Sequence, residues 1–314
     1  MTSRIVPWPD AVEEIIDGEH AVALAYVTPA GGVVLAPVSN FGIHDRANGV
    51  VTVNSSVGSP KKLDRIRRNP HVAIAFHTRA HATHDRPEYV LVQGRATLGP
   101  PVADFPGKFV DNWERLEPWR DINPLWKRWM RVYALRIEVR IAVERMIVWP
   151  DLACRGAPEV IGLPLPGTPP PQDPPAKGTA PRIDHARAAK QAARLPDVLL
   201  GWVGADGFPV AIAAQIGPTD ERGIAIETPP GLVPPGGRRA GLLAHWFSRG
   251  VVGQRQHIYT GWMEAQPGSS TVSYSPHTRA AYRIPNSRFV YRIAAGAATR
   301  TRLRRARRAG TSLV

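Results

Sequence analysis

The chain has 314 residues, 43% hydrophobic and 21% charged, a balance that excludes wholesale disorder and a length that suits two ordinary domains. Its single cysteine, Cys154, excludes an internal disulfide, and no apolar run approaches the roughly 18 residues that a membrane-spanning helix needs. The formal net charge of +14 raises the question of an anionic partner, and part of that excess is concentrated in residues 299–314, which carry arginine at 300, 302, 304, 305, 307 and 308 and no acid.

The first twenty residues lack the basic and apolar regions of a secretion signal, so the cytoplasm is the expected compartment. Residues 21–40, AVALAYVTPAGGVVLAPVSN, predict strand, turn, strand, with Gly31-Gly32 supplying the backbone freedom of the turn. A third strand follows at 49–54. Lys61 and Lys62 then open a short amphipathic helix, KKLDRIRR, in which Leu63 and Ile66 lie one turn apart. Alternating, β-branched sequence returns at 71–78 and 89–98. Residues 104–130 are rich in tryptophan and charge and predict one or two short helices, with Trp113, Trp119, Trp126 and Trp129 as core rather than as a ligand wall. Residues 131–149 read as strand.

From 155 to 182 proline dominates, which predicts an extended connector. Beyond it, residues 197–216, DVLLGWVGADGFPVAIAAQI, align without a gap to 21–40 at an offset of 176, with Asp206-Gly207 at the turn. GIAIET at 223–228 corresponds to GVVTVN at 49–54, and Arg238-Arg239 with RRAGLLAHWF correspond to Lys61-Lys62 and their helix. HIYTGWMEA at 257–265 matches YVLVQGRATL, with Gly261 in the place of Gly94. On this alignment one strand is lost from the second copy. Residues 281–294 read as strand, and the arginine-rich end as a frayed, solvated extension.

The expected architecture is therefore mainly β: two tandem split β-barrels of antiparallel strands with short helices. The barrels occupy 1–154 and, in degenerate form, 183–298. A linker spans 155–182 and a basic tail 299–314.

Asn54, Ser55, Ser56 and Ser59, followed by Lys61 and Lys62 at a helix start, offer hydroxyls, amides and cations, the set an anion such as phosphate requires. A capped, solvated turn would have the same composition. His77, His81 and His84 with Asp85 lack a recognised zinc spacing and read as a polar loop, as do His44 and Asp45; no metal is expected. No nucleophile elbow or phosphate loop of the Walker type occurs.

The succession AVALAYVTPAGGVVLAPV, VVTVNSS, SPKKLDRIRRNPHVAIAF and YVLVQGRATL resembles the pyridoxamine 5′-phosphate oxidase-like superfamily of split-barrel flavoproteins. The resemblance covers residues 12–147 well and 185–294 loosely. It implies a flavin- or deazaflavin-dependent oxidoreductase acting on a small molecule, with FMN as cofactor and F420 as the alternative. Under it, Lys62, Ser55 and Ser56 contact phosphate. The ring lies on Pro37, Val38 and Ser39 and on Thr52, Val53 and Asn54, with Gln93 nearby. The arginine and histidine that the oxidase uses for vitamin B6 are not found, so that substrate is not implied. A non-catalytic carrier or sensor of flavin, or of haem, is the alternative function. Single-barrel relatives are homodimers, which leaves open whether this chain mimics such a dimer alone or pairs with a second copy. No membrane partner is expected and nucleic acid is disfavoured, while the basic tail suits an anionic surface. Pro229 and Pro230 stand where the first copy has its serines, and proline has no amide to donate. The first half is thus expected to hold the cofactor.

Overall fold

The computed structural model describes residues 5–248 and 253–310. The first half runs α1 (Asp10–Gly18), β1 (Ala21–Val27), β2 (Val33–Ser39), β3 (Ile43–Asp45), β4 (Val50–Ser56), α2 (Pro60–Arg68), β5 (His71–Phe76) and β6 (Tyr89–Val102). It continues with α3 (Phe105–Lys108), α4 (Val110–Glu114), α5 (Pro124–Ala134), β7 (Arg136–Trp149) and β8 (Glu159–Gly162). The second half has α6 (His185–Ala192), β9 (Asp197–Val203), β10 (Pro209–Ala213), β11 (Gln215–Asp220), β12 (Gly223–Glu227), β13 (Gly236–Phe247), β14 (Gln254–Ala265), β15 (Thr271–Ile284) and α7 (Arg288–Arg308).

Both halves fold into curled antiparallel sheets with one topology. The first is ordered β2-β1-β5-β6-β7-β4-β3, with β8 added beside β7, and the second β10-β9-β13-β14-β15-β12-β11. Element by element these are the same path. The repeat extends to irregularities: the β6–β7 ladder slips at Gln93/Gly94 and the β14–β15 ladder at Thr260/Gly261. A Cβ on Gly94 would stand 2.2 Å from the Ala142 carbonyl oxygen, and one on Gly261 2.1 Å from that of Ser275, so each bulge requires its glycine.

Several expectations change. The second copy loses no strand, because RRAGLLAHWF is β13, the counterpart of β5. Its Leu242 and Trp246 do have helical spacing, but the segment pairs with β9 on one side and β14 on the other, and that ladder decides its conformation. What the second half lacks is α2. Residues 131–134 finish α5 rather than begin a strand. In 281–294 the strand stops at Ile284 and α7 begins at Arg288. The arginine-rich end is not a frayed extension as far as it is described: Tyr291, Ala295, Thr299, Leu303 and Ala306 repeat at helical spacing and bury one face of α7. The positions 311–314 of that segment lie outside the described residues. The proline-rich segment contributes β8, and Gln172 ties it to both halves through Gly237 and Gly31.

β1 is buried along its whole length because each face meets a different core. Val22, Leu24 and Tyr26 point into the first barrel, while Ala23 and Ala25 join a cluster that includes Leu199, Leu200, Leu242 and Tyr259 of the second half. The halves approach closely where Gly241 and Gly201 pair across β13 and β9. A Cβ on Gly241 would lie 2.5 Å from the Val33 carbonyl oxygen, and one on Gly201 3.0 Å from a Leu35 methyl.

The repeat brings two histidines together. Ala23 pairs with Ala75, and its counterpart Leu199 with Leu243, which makes His77 and His245 equivalent positions. Their Nε2 atoms are 2.6 Å apart, and both rings are buried. His77 Nδ1 faces the Ala75 carbonyl oxygen at 3.0 Å and must donate to it, so in a neutral ring its Nε2 accepts from His245. Burial pushes His77 down to about 4 and His245 well below the ordinary imidazole range, the latter helped by its neighbour. An unfolded histidine titrates near 6.5, so between about 6.5 and 4 the unfolded chain binds more protons. The stability gained by neutral rings is complete above that window and is lost as pH falls through it, on the order of 3 kcal/mol for His77 alone. Urea unfolding at pH 7 and pH 4.5 should show this loss, and replacing both histidines by asparagine should flatten it. An unchanged slope in the double variant would assign the acid sensitivity elsewhere.

Candidate functional site

β2 leaves the barrel with Pro37, Val38 and Ser39 along one side of a cavity of about 800 Å³. Asn54 and Ser56 of β4, the β4–α2 turn and the first turn of α2 form the floor, with Gly58, Ser59, Lys61 and Lys62 all on the lining. Pro60 starts the helix at a position where its missing amide costs nothing, and Ser59 precedes it with its side chain making no cap bond. An uncapped helix start bearing two lysines therefore faces the cavity.

The opposite wall comes from the second half. Gln254, Gln256 and Ile258 of β14, Tyr282 and Ile284 of β15, and Thr299, Arg302 and Arg305 of α7 complete the lining. Arg302 packs against the turn so tightly that a Cβ on Gly58 would meet its own Cβ at 3.2 Å. Its guanidinium lies 5.1 Å from the centre of the Tyr282 ring. Below it, Arg136 stacks on Tyr133 at 4.1 Å, and its Nε is buried with no hydrogen-bond partner. Tyr133 and Tyr291 bond through their hydroxyls, joining α5 to α7.

Among the described residues, no aspartate or glutamate lines this cavity. Lys61, Lys62, Arg136, Arg302 and Arg305 therefore converge without a carboxylate among them. Lys62 is pushed down to about 8, first by burial and then by the neighbouring Arg136 charge. Because Lys62 keeps a partial opening onto the cavity, solvent screens some of that cost. A cluster of this kind is costly in the free protein and favours a bound anion.

Of the residues expected from sequence, Pro37, Val38, Ser39, Asn54, Ser56, Ser59, Lys61 and Lys62 meet at this cavity. Thr52, Val53 and Ser55 do not line it: Val53 points into the first barrel's core, and the Ser55 hydroxyl is buried without a partner. Gln93 lies elsewhere. Its Nε2 donates to the Pro209 carbonyl at 2.7 Å and its Oε1 accepts from Arg145 at 2.7 Å, while Arg145 pairs with Asp206 at 2.6 Å. Gln93 thus fastens the two halves. With both copies in one chain, the partner strand facing this cavity is β14, and the glutamines there are Gln254 and Gln256. Sequence reasoning missed these, together with Arg136, Arg302 and Arg305. The helical spacing of Tyr291, Ala295, Thr299 and Leu303 was the available signal for the last two.

The equivalent position in the other half holds a second cavity of about 540 Å³, lined by Ala213, Ala214 and Gln215 where the first has Pro37, Val38 and Ser39. Glu227, Pro229 and Pro230 replace the hydroxyl-rich turn, and no lysine lines it. Asp197 on its wall is pushed up to about 6 by burial, and Arg155 is the one arginine on the lining, so among the described residues this cavity has two carboxyl groups and a single arginine where the first has five cations. The remaining histidines form no metal site: His81 bonds the Phe247 carbonyl, His44 pairs with Glu13, and no group of metal-ligating side chains occurs among the described residues. Trp113 and Trp119 are buried and Phe41 stacks on Trp113 at 4.6 Å, as core residues should, whereas Trp129 is exposed.

No family model and no curated protein matches the sequence. Among solved structures, general stress protein 26 from Bacillus anthracis is similar at 19% identity, over 49% of this chain and 97% of its own, with a TM-score of 0.33. A putative pyridoxamine 5′-phosphate oxidase from Listeria innocua is similar at 16% identity, over 44% and 95%, with a TM-score of 0.31. A protein named F420 reductase is similar at 17% identity, over 43% and 94%, with a TM-score of 0.31. Within this chain the same sheet order occurs twice, and the two equivalent cavities differ in their charged lining.

Proposed function

We propose that the chain is an oxidoreductase that holds one phosphate-bearing flavin or deazaflavin, FMN or F420, in the cavity between the first barrel and α7. The observation that carries this reading is a lining of five cations, several hydroxyls and no acid, beside the small and apolar strip of β2. The unpartnered Arg136 Nε and the half-buried Lys62 fit an anion that completes them. Such a cofactor supplies hydride or electron transfer, and the protein binds and orients it. In this reading Lys62, Arg136, Ser56 and the start of α2 hold the phosphate. Pro37, Val38 and Ser39 border the ring, and Gln254 and Gln256 face it from the second half. The substrate is a small molecule entering from the side that α7 leaves open.

Haem is the weaker reading, because among the described residues no histidine, cysteine or methionine lines the cavity, and of the tyrosines there Tyr133 and Tyr291 already bond to each other through their hydroxyls. The excess of cations over the two charges of one phosphate suits a cofactor with further anionic groups, as in F420, or FMN with an anionic substrate.

Titration calorimetry with FMN and with F420, alongside absorption and mass of any ligand that copurifies, tests the reading. One equivalent per chain is expected. Two equivalents would contradict the inequality of the cavities, and no uptake of either would refute the proposal.

A further inference from the structure

Among the described residues, five of the eight large apolar side chains that are exposed lie on α5 and α7, the others being Ile5, Leu163 and Leu165. Leu125 and Trp129 of α5 and Phe289, Val290 and Ile293 of α7 are 76%, 37%, 63%, 41% and 42% exposed, respectively. They form one face, because the helices are bound to each other there. Trp126 meets Phe289 edge-on at 5.6 Å, the Trp129 indole N–H donates to the Arg292 carbonyl at 3.0 Å, and Gly296 lies beneath the Trp129 ring. A contiguous patch of this kind on a folded chain marks an interaction surface.

Charge indicates the partner. The charged residues of α5 are Lys127, Arg128 and Arg131, and those of α7 are all arginines. The outward row Val290, Ile293, Ala297, Arg300, Arg304, spaced at three and four residues, passes from apolar to cationic along a single helix face. Arg300 covers the Trp129 ring at 4.1 Å, which places cation and aromatic at the same border. Of the acids before α5, Asp111 and Glu114 pair with Arg120 and Glu117 pairs with Arg292, while Asp121 is exposed. A second copy of this chain would bring the same cations against these, so self-association through this face is opposed by repulsion. Nucleic acid would neutralise the charge and leave Leu125, Val290 and Ile293 without apolar partners. Headgroups and acyl chains of an anionic bilayer satisfy both halves of the face.

We propose that the α5–α7 face docks this protein on the surface of membranes rich in anionic lipid, with Leu125, Trp129, Phe289, Val290 and Ile293 entering the interface and the surrounding arginines meeting headgroup phosphates. The docking proposed is peripheral; among the described residues no helix is long and apolar enough to cross a membrane. Because α7 also supplies Arg302 and Arg305 to the cavity, docking holds the cavity close to the lipid surface.

Sedimentation of the full chain with vesicles tests this. Binding is expected to phosphatidylcholine vesicles containing about 30% phosphatidylglycerol, to be at least about tenfold weaker on phosphatidylcholine alone, and to fall further in about 0.5 M salt. The pair Leu125→Ser and Phe289→Ser, at positions too exposed to support the core, should lower the affinity about tenfold or more while far-UV circular dichroism stays unchanged. The pair Arg128→Glu and Arg304→Glu should do the same through charge. Lack of vesicle binding, equal binding to both lipids, or serine variants that bind as well as the parent would overturn the proposal. So would binding of single-stranded RNA by a chain that ignores vesicles, or a dimer that the serine substitutions dissociate.

Discussion

Lys62→Met is expected to weaken binding of FMN or F420 by about 30- to 100-fold, the loss of one charge-assisted contact in a half-buried site. The same substitution should leave the free protein as stable as before, or more so, near pH 7. Both follow from the position of Lys62 beside Arg136 with no carboxylate on the lining. In the free protein Lys62 titrates near 8 rather than 10.5, so between those values the unfolded chain binds the additional proton and stability rises with pH. Below about 8 the buried charge is a full cost, which methionine removes. A bound phosphate reverses the preference by stabilising the ammonium. Affinity for FMN should therefore be flat from pH 7 to 8, where its phosphate monoester is already doubly ionised, and fall above 8 as Lys62 loses its proton in the free protein. Isothermal titration across pH 7–10 measures this. Lys62→Met should remove the slope, and Lys62→Arg should retain affinity without it. A parent protein whose affinity ignores pH up to 10 would show that Lys62 does not meet the anion.

Gly241→Val is expected to destabilise the chain by about 4 kcal/mol or more, at the upper end of what single substitutions do. The reason is specific to the junction between the halves. The obstacle to a Cβ at Gly241 is the Val33 carbonyl oxygen, at 2.5 Å, which belongs to a backbone paired along β1 and cannot rotate aside. β2 must shift, and with it Pro37, Val38 and Ser39. Cofactor binding should fall together with stability. Gly167→Ala is the control, since a Cβ there meets nothing within 4 Å, and its effect should stay within about 0.5 kcal/mol. Denaturant unfolding followed by tryptophan fluorescence decides, because Ala23, Ala25, Leu199 and Leu242 share one cluster and the halves should unfold in a single transition. A variant as stable as the control would mean that the halves do not pack through these strands in solution.

Much of the fold was legible because hairpins announce themselves locally. Gly31 and Gly207 mark the two turns, both with positive φ, and the apolar runs around them alternate or continue as half- or fully-buried strands do. The offset between them located the repeat. It failed at RRAGLLAHWF, where Leu242 and Trp246 offer helical spacing and only the neighbours β9 and β14 show that the segment is a strand. It failed again at the arginine-rich end, where composition suggests a solvated extension and the buried stripe from Tyr291 to Ala306 forms a packed helix.

The site divides along the same line. The order Asn54, Ser56, Ser59, Lys61, Lys62 places hydroxyls and cations within two turns of chain, so its chemistry could be read directly. Gln93 misled because a polar residue on an apolar strand signals a hydrogen-bonded environment without saying which one; here it is the Pro209 carbonyl and Arg145.

Sequence by itself determined that two copies of one strand pattern exist and that the first carries a turn rich in hydroxyls and lysines, since strand period, turn glycines and helix starts are local properties. Only the tertiary structure decided that the copies face each other across His77 and His245, that the second is complete but lacks α2, and that α7 returns to wall the first copy's cavity. The first and third rest on contacts between residues more than a hundred positions apart and the second on the pairing of β13 with β9 and β14, and local spacing carries no information about which distant surface a buried face will meet.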